Sequence, residues 1–343
     1  MIYRSKAPLR IGLAGGGTDV SPYCDLYGGA ILNATLSLYA HATIEPLEGR
    51  TIILQGMDRK EEQRWEGGVD REFLPIDGRL DLLKGVYNRI RKDYGWTGGG
   101  FRLSTFVDAP AGSGLGTSST LVVAIIGAFA EMMRLPLGEY DMAHLAYDIE
   151  RQDLKMAGGR QDQYAATFGG VNYMEFYKDD KVIVNPLRVK QQYLFELENN
   201  LLLYYTATSR ESARIIEVQS RNVTEKKEKS IEAMHQLKHQ AQLMKEALLM
   251  GRIHEIGEIL DFGFRQKQKM AEGISNALID DVYERARAAG ATGGKISGAG
   301  GGGFMTFYCP GIAKYRVMEV LAGLGGHCQP YQFTGHGLTT WTV

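Results

Sequence analysis

The stretch Asp108-Ala109-Pro110-Ala111-Gly112-Ser113-Gly114-Leu115-Gly116-Thr117-Ser118-Ser119 holds the densest chemistry in the chain. It lies between a strand-like run, Phe101 to Val107, and an apolar run that reads as a helix from Ser118 to Met133. Glycines leave backbone N–H groups uncovered, and a helix start adds partial positive charge. Together they make an anion cradle. Thr117, Ser118 and Ser119 supply hydroxyls that can cap the helix or reach a bound Mg²⁺. The plainer reading of the same residues is a glycine turn joining a strand to a capped helix. Two phosphate motifs are excluded. A Walker A loop ends in Gly-Lys-Ser/Thr, and this segment has no lysine. The dinucleotide fingerprint requires glycine where Thr117 stands.

Other glycines cluster in the same way. The chain has 43 glycines against 9 prolines, and they gather at Gly15-Gly16-Gly17, Gly98 to Gly100, Gly158-Gly159 and Gly298 to Gly303. Clusters between apolar segments mean tight turns or backbone that approaches a ligand closely. Several in one chain point to phosphate chemistry.

The elements around them read as mixed helix and strand. Strands are expected over Ala30–Glu45, Thr51–Gln55 and Phe101–Val107, and helices over Leu80–Tyr94 and Ala143–Lys155. Val171–Phe176 and Lys181–Val184 read as a hairpin turning at Asp179-Asp180. A composition shift near residue 190 separates a first domain, 1–190, from a second, 191–343. In the second, Leu201–Tyr205 and Phe304–Tyr308 read as strands, and Ser209 to Leu260, Ile279–Ala289 and Ala313–Leu324 as helical. The mixed charges of Glu225 to Lys229 read as a solvated helix face.

Bulk composition argues against several classes of partner. A formal net charge of −1 provides no field for nucleic acid or an anionic membrane. The apolar run Leu121 to Ala130 falls short of the roughly 20 residues a membrane span needs. Three scattered cysteines form no Cys-x-x-Cys pair, so reduced thiols are expected rather than zinc or disulfides. The start of the chain has too short an apolar stretch for a secretion signal. A cytoplasmic protein is expected.

Three segments, in order, resemble the GHMP kinases. They are Lys6-Ala7-Pro8-Leu9-Arg10 through Gly15-Gly16-Gly17-Thr18-Asp19, then Pro110 to Ser119, then Lys295-Ile296-Ser297-Gly298-Ala299-Gly300 through Phe304. Gly159-Arg160-Gln161-Asp162-Gln163 is similar to the Gly-x-x-Asp-Gln segment of the family's sugar kinases. The resemblance implies an α+β fold of two domains. The first would be like domain 2 of ribosomal protein S5 and the second ferredoxin-like, with ATP and acceptor in the cleft between them.

It also implies roles. Pro110, Gly112, Ser113, Gly114, Leu115, Gly116, Thr117, Ser118 and Ser119 would wrap the ATP phosphates. Ser118 and Glu150 would hold Mg²⁺, although Glu150 also reads as one of several solvated helix acids. Asp162 would accept the acceptor hydroxyl's proton, with Arg10 as its charge partner. Gly298 and Gly300 would approach acceptor and phosphates, and Lys295 reads either with them or as a strand-end surface lysine. Asp261-Phe262-Gly263 spells a protein-kinase tripeptide without its His-Arg-Asp partner and reads as chance.

The form Gly16-Gly17-Thr18-Asp19 departs from the galactokinase Gly-Glu-His-x-Asp and resembles heptose kinases and the kinase part of fucokinases. Gly16, Gly17, Thr18 and Asp19 would then contact the sugar. The implied substrate is D-glycero-D-manno-heptose 7-phosphate, phosphorylated at its anomeric hydroxyl. Arg160, with Lys155 behind it, is a candidate for the substrate phosphate, and each also reads as an exposed helix-end charge. The alternatives are an unphosphorylated sugar such as L-fucose, a catalytically silent sensor of the same fold, and a related decarboxylase. Trp65 and Trp96 are aromatic candidates for adenine, or simply packing residues.

Overall fold

A computed structural model describes residues 1–96, 98–208 and 212–343. The strands are β1 (Tyr3–Ala14), β2 (Gly29–Leu47), β3 (Ile52–Gly56), β4 (Glu61–Trp65), β5 (Gly100–Val107) and β6 (Val171–Phe176). They continue with β7 (Val182–Pro186), β8 (Leu201–Tyr205), β9 (Gly293–Ile296), β10 (Phe304–Tyr308), β11 (His327–Cys328) and β12 (Thr339–Thr342).

The larger sheet has eight strands in the order β12-β1-β2-β5-β3-β4, with β6 and then β7 branching from β2. The expected helix spans Thr117–Met133 and packs on β1 and β2. Every residue from Ser119 to Ala130 is buried, which is why this segment is apolar all round. Leu9, Ile11 and Leu13 of β1, Leu32 and Leu36 of β2, and Val122, Ile125 and Phe129 of the helix share one core. Each such side chain contributes about 1.5–3 kcal/mol by leaving water. Trp96 packs in the same core against Tyr87, Phe101 and Phe129. The expected hairpin joins β6 to β7, and Asp179 and Asp180 both take positive φ there (59° and 53°). That backbone matches the twist of the strands it connects.

The smaller sheet is antiparallel, in the order β11-β8-β10-β9. Alternation along β8 serves two cores. Leu201 and Leu203 join the core shared with the larger sheet, while Leu202 and Tyr204 face a second one. The helix Glu228–Met250 packs on the helix Ile256–Met270 and also touches β1 and β2, so it ties the sheets together. Asp261-Phe262-Gly263 lies inside Ile256–Met270, as a helical rather than a metal-loop segment. The helical pattern expected from Ser209 is seen from Ser212; Ser209 lies outside the described residues. After β11 the chain returns to the larger sheet, where β12 pairs with Tyr3–Lys6 of β1. Among the described residues no helix is long and apolar enough to cross a membrane. Cys24, Cys309 and Cys328 are all free thiols.

Candidate active site

Pro8 has no N–H for the β1–β2 ladder, and the register between these strands shifts between Pro8 and Arg10. The Arg10 amide donates to Leu115 O (3.1 Å) instead, so the glycine loop is stitched to the strand. Arg10 as a residue is only 3% exposed. Its Nε and Nη2 donate to Asp162 Oδ1 (2.7 and 2.6 Å), and its Nη1 donates to Gly114 O (2.6 Å). One guanidinium therefore holds both the loop and a carboxylate that stands in the first turn of the helix Gln161–Phe168.

The loop alternates left-handed glycines with ordinary residues: φ is 72° at Gly112, 83° at Gly114 and 79° at Gly116. Such alternation turns successive amides to one side. Gly114 meets a second constraint, since a Cβ there would lie 2.8 Å from Ser297 O. The loop Gly298–Gly303 is thus packed backbone to backbone on the first one, and Phe304 N donates to Ser113 O (2.9 Å). Gly300 has φ 109° and sits against Ile274.

Glu150 lies in a single π-helical turn, Ile149–Asp153, that extends the helix Glu139–Asp148. It is 1% exposed, and its Oε2 accepts from Gln163 Nε2 (2.5 Å), which also reaches Ser119 Oγ (3.1 Å). Burial pushes the Glu150 pKa up, against the opposing pull of Arg151, Ser119 and Gln163. Ser118, Ser119 and Glu150 line the same cavity. Two hydroxyls and one carboxylate are the hard oxygen donors that suit Mg²⁺, which usually takes few protein ligands and completes its shell with phosphates and water. A buried carboxylate that resists ionisation is relieved by such a cation, so these residues fit the ion.

Asp19 is also buried, and its Oδ2 accepts from the amides of Arg160 (2.9 Å) and Gln161 (3.1 Å). Burial, then the Asp162 charge, raises its pKa. Gly159 has no room for a side chain, because a Cβ would lie 1.9 Å from Asp19 Oδ2. The single Thr18 hydroxyl proton has two carbonyl acceptors in reach, Gly15 O and Ala30 O (2.9 and 3.0 Å), and the hydroxyl oxygen accepts from Ala30 N, locking the turn. Gly17 O accepts from Gln219 Nε2 (2.7 Å). Gly16 faces the ammonium groups of Lys267 and Lys295.

Arg160 is buried, not an exposed helix-end charge. Its guanidinium pairs with Asp25 (3.1 Å) and Asp180 (2.8 Å), donates to Tyr177 O and Ser21 Oγ, and lies 5.6 Å over Tyr147. It clamps the β6–β7 turn to the segment that carries Asp19.

These groups surround a cavity of about 460 Å³ walled by Arg10, Asp19, Glu150, Asp162, Lys267 and Gly298. Lys155 also lines it. A cavity of about 340 Å³ adjoins it at Asp19 and Gly158 and is bordered by Arg160 and Tyr147. A slot of about 280 Å³ lined by Ile76, Leu80, Leu83 and Leu121 meets the larger cavity at Ser118. Neither Trp65 nor Trp96 lines any of the three.

Residues 81–170 match the model of the GHMP kinases N terminal domain, and residues 244–310 that of the GHMP kinases C terminal domain. The chain is 47% identical, over 99% of both chains, to the D-glycero-alpha-D-manno-heptose 7-phosphate kinase of Campylobacter jejuni. The chain belongs to the GHMP kinase family. A crystal structure described as a D-glycero-D-manno-heptose 1-phosphate kinase from Bacteriodes thetaiotaomicron superposes with a TM-score of 0.85 at 45% identity, covering 99% of each chain. A putative sugar kinase from Campylobacter jejuni superposes with a TM-score of 0.82 at 46% identity, over 100% of this chain and 98% of that one. As in other GHMP kinases, the chemistry is phosphoryl transfer from ATP, and the α+β architecture is the family's.

Within this GHMP kinase, sequence reasoning passed over Lys267. It falls in the apolar stripe Leu260, Phe264, Lys267, Met270 of its helix, and a lysine at a core position is the signal that marks it. Lys295, one step from it, is buried rather than a surface lysine and donates to Gly12 O (2.6 Å).

Proposed function

We propose that this chain transfers the γ-phosphoryl group of ATP to the anomeric hydroxyl of D-glycero-D-manno-heptose 7-phosphate. The product would be the 1,7-bisphosphate used in nucleotide-heptose synthesis, and the setting cytoplasmic. The acceptor is taken from the similarity to the Campylobacter jejuni enzyme. The observation that carries the chemistry is the buried Arg10 that binds Asp162 and the Gly114 carbonyl together. It sets a carboxylate at the mouth of the glycine loop, beside the place where a γ-phosphate would lie.

In this reading the amides from Gly112 to Ser119 hold the ATP phosphates, and the apolar slot beside Ser118 takes the adenine. Asp162 accepts the anomeric hydroxyl's proton as that oxygen bonds to the γ-phosphorus and the bond to the bridging oxygen of ADP breaks. Arg10 fixes the position of the carboxylate through two N–H donors and offsets charge spreading over the phosphoryl oxygens. Ser118 and Glu150 hold Mg²⁺, which when bound neutralises the β- and γ-phosphate oxygens. Asp19 receives sugar hydroxyls, and Gly16, Gly17, Gly298 and Gly300 let acceptor and phosphates approach the backbone. Thr18 contributes by holding its turn, and Arg160 by holding Asp19's surroundings. With the chain divided into 1–190 and 191–343, and the last strand paired with β1, this cleft would lie between the two domains.

The test is ADP release with ATP and Mg²⁺ over a panel of sugars and sugar phosphates, with Asp162→Ala alongside. Turnover confined to heptose 7-phosphate and lost in the variant supports the reading. Preference for L-fucose moves the acceptor. Nucleotide binding without turnover on any member overturns it in favour of a sensor.

A further inference from the structure

Lys267 has no role in the reading above, yet it stands in the wall of the main cavity at 3% exposure. Its ammonium donates to Gly298 O, and among the described residues no carboxylate lies within 4.0 Å of it. An ammonium has three donors. A buried cation with unfilled donors is costly unless something completes it.

The surrounding charge does not complete it. From β1 comes Arg10, from the following loop Asp19, from the helix Gln161–Phe168 Asp162, from β9 Lys295, and from the helix Ser212–Thr224 Glu217 on the cavity rim. Asp162 is bonded to Arg10, Asp19 Oδ2 is bonded to two backbone amides, and Lys295 is turned to Gly12 O. Unspent positive charge therefore faces the cavity at Lys267, beside Gly298, whose backbone packs on Gly114 of the first glycine loop. The ligand chemistry that completes such a wall is an anion with several oxygens.

We propose that Lys267 is a phosphoryl-binding residue of this kinase, its ammonium contacting phosphoryl oxygens of a bound reactant. The oxygens belong either to the transferring group of ATP or to the acceptor's own phosphate. The inference rests on the kinase reading and adds a residue from the second domain to it. Burial, with Arg10 nearby, lowers the Lys267 pKa to about 8, with Asp19 pulling it back up. An anion seated on it favours the charged form, so binding near that pH draws a proton from solution.

The experiment is titration calorimetry of the full chain at pH 8 in buffers of different ionisation heat. One arm uses Mg²⁺ with a non-hydrolysable ATP analogue, the other D-glycero-D-manno-heptose 7-phosphate. Uptake of up to about half a proton is expected from a group with a pKa of about 8. Uptake in the nucleotide arm assigns the transferring group, and uptake in the sugar arm assigns the acceptor's phosphate. Lys267→Gln, which can still donate to Gly298 O but carries no charge, should abolish it. No uptake in either arm, or equal uptake in the variant, overturns the proposal.

Turnover provides a second readout. Lys267→Gln should lose on the order of 10²–10³ in kcat/KM, as when one charge-stabilising donor is removed, while Lys267→Arg retains most of it. Failure of the wild type to turn over any acceptor sinks the kinase reading. A turning-over wild type with an equally active Lys267→Gln sinks this inference alone.

Discussion

Replacing Asp162 by asparagine keeps the shape of the side chain and removes one negative charge from a site rich in cations. Arg10 loses a charged acceptor for two N–H groups at 2.6 and 2.7 Å, but retains a neutral amide oxygen and its bond to Gly114 O. A charge-assisted bond reduced to a neutral one costs about 1–2 kcal/mol. Asp162 is 23% exposed, so solvent screening puts the loss at the lower end. For a protein of this size that lowers Tm by roughly 1–2 °C. Loss of the proposed proton acceptor should instead reduce kcat by about 10²–10⁴, a barrier increase of about 3–5 kcal/mol. ADP release, thermal melting and nucleotide binding should be measured on the same preparation. The expected pattern is a large kcat loss with a small Tm shift and nearly unchanged nucleotide affinity. A kcat within tenfold of wild type, or a loss of nucleotide binding that matches the loss of activity, would refute the assigned role.

Other perturbations separate the remaining parts of the site. Glu150→Gln should remove the thermal stabilisation that Mg²⁺ with nucleotide confers on the wild type, and melting curves with and without Mg²⁺ would check it. Equal stabilisation of the variant would count against the Glu150 site. Gly159→Ala drives a methyl into the Asp19 carboxylate, so KM for the sugar should rise at least tenfold while KM for ATP holds. Equal changes in both would mean a wider collapse. Arg160→Met breaks pairs with Asp25 and Asp180 and should cost about 2–4 kcal/mol, read as a lower Tm. Because that arginine is already engaged, KM should rise alike for phosphorylated and unphosphorylated sugars; a rise confined to the phosphorylated one would assign Arg160 to the phosphate.

What was legible in the sequence is what backbone constraint writes into residue type. Gly114 could be read because only glycine tolerates both its positive φ and the opposing loop. The helix Thr117–Met133 could be read because burial on every side demands apolar residues throughout. The ends of most elements fell within a few residues of expectation. Other features depend on partners distant in the chain. Arg160 finds Asp25 and Asp180 only after folding, and nothing local distinguishes it from a ligand-seeking arginine. Trp96 could not be placed without knowing that Phe101 and Phe129 converge on it. The π turn at Glu150 has no periodic signature, and the pairing of β12 with β1 joins the two ends of the chain. Lys267 was legible in principle, as a charge within an apolar stripe, and was passed over among the many charges of its region.

The central claim is transfer to the anomeric oxygen of a sugar that already carries a phosphate. Phosphorus NMR of a reaction containing ATP, Mg²⁺ and D-glycero-D-manno-heptose 7-phosphate tests it directly. The account predicts a new anomeric phosphate resonance growing in step with ADP while the 7-phosphate signal persists, and none with Asp162→Asn on the same timescale. Phosphorylation at another hydroxyl, faster turnover of an unphosphorylated sugar, or an Asp162→Asn enzyme that makes the product at the wild-type rate would contradict it.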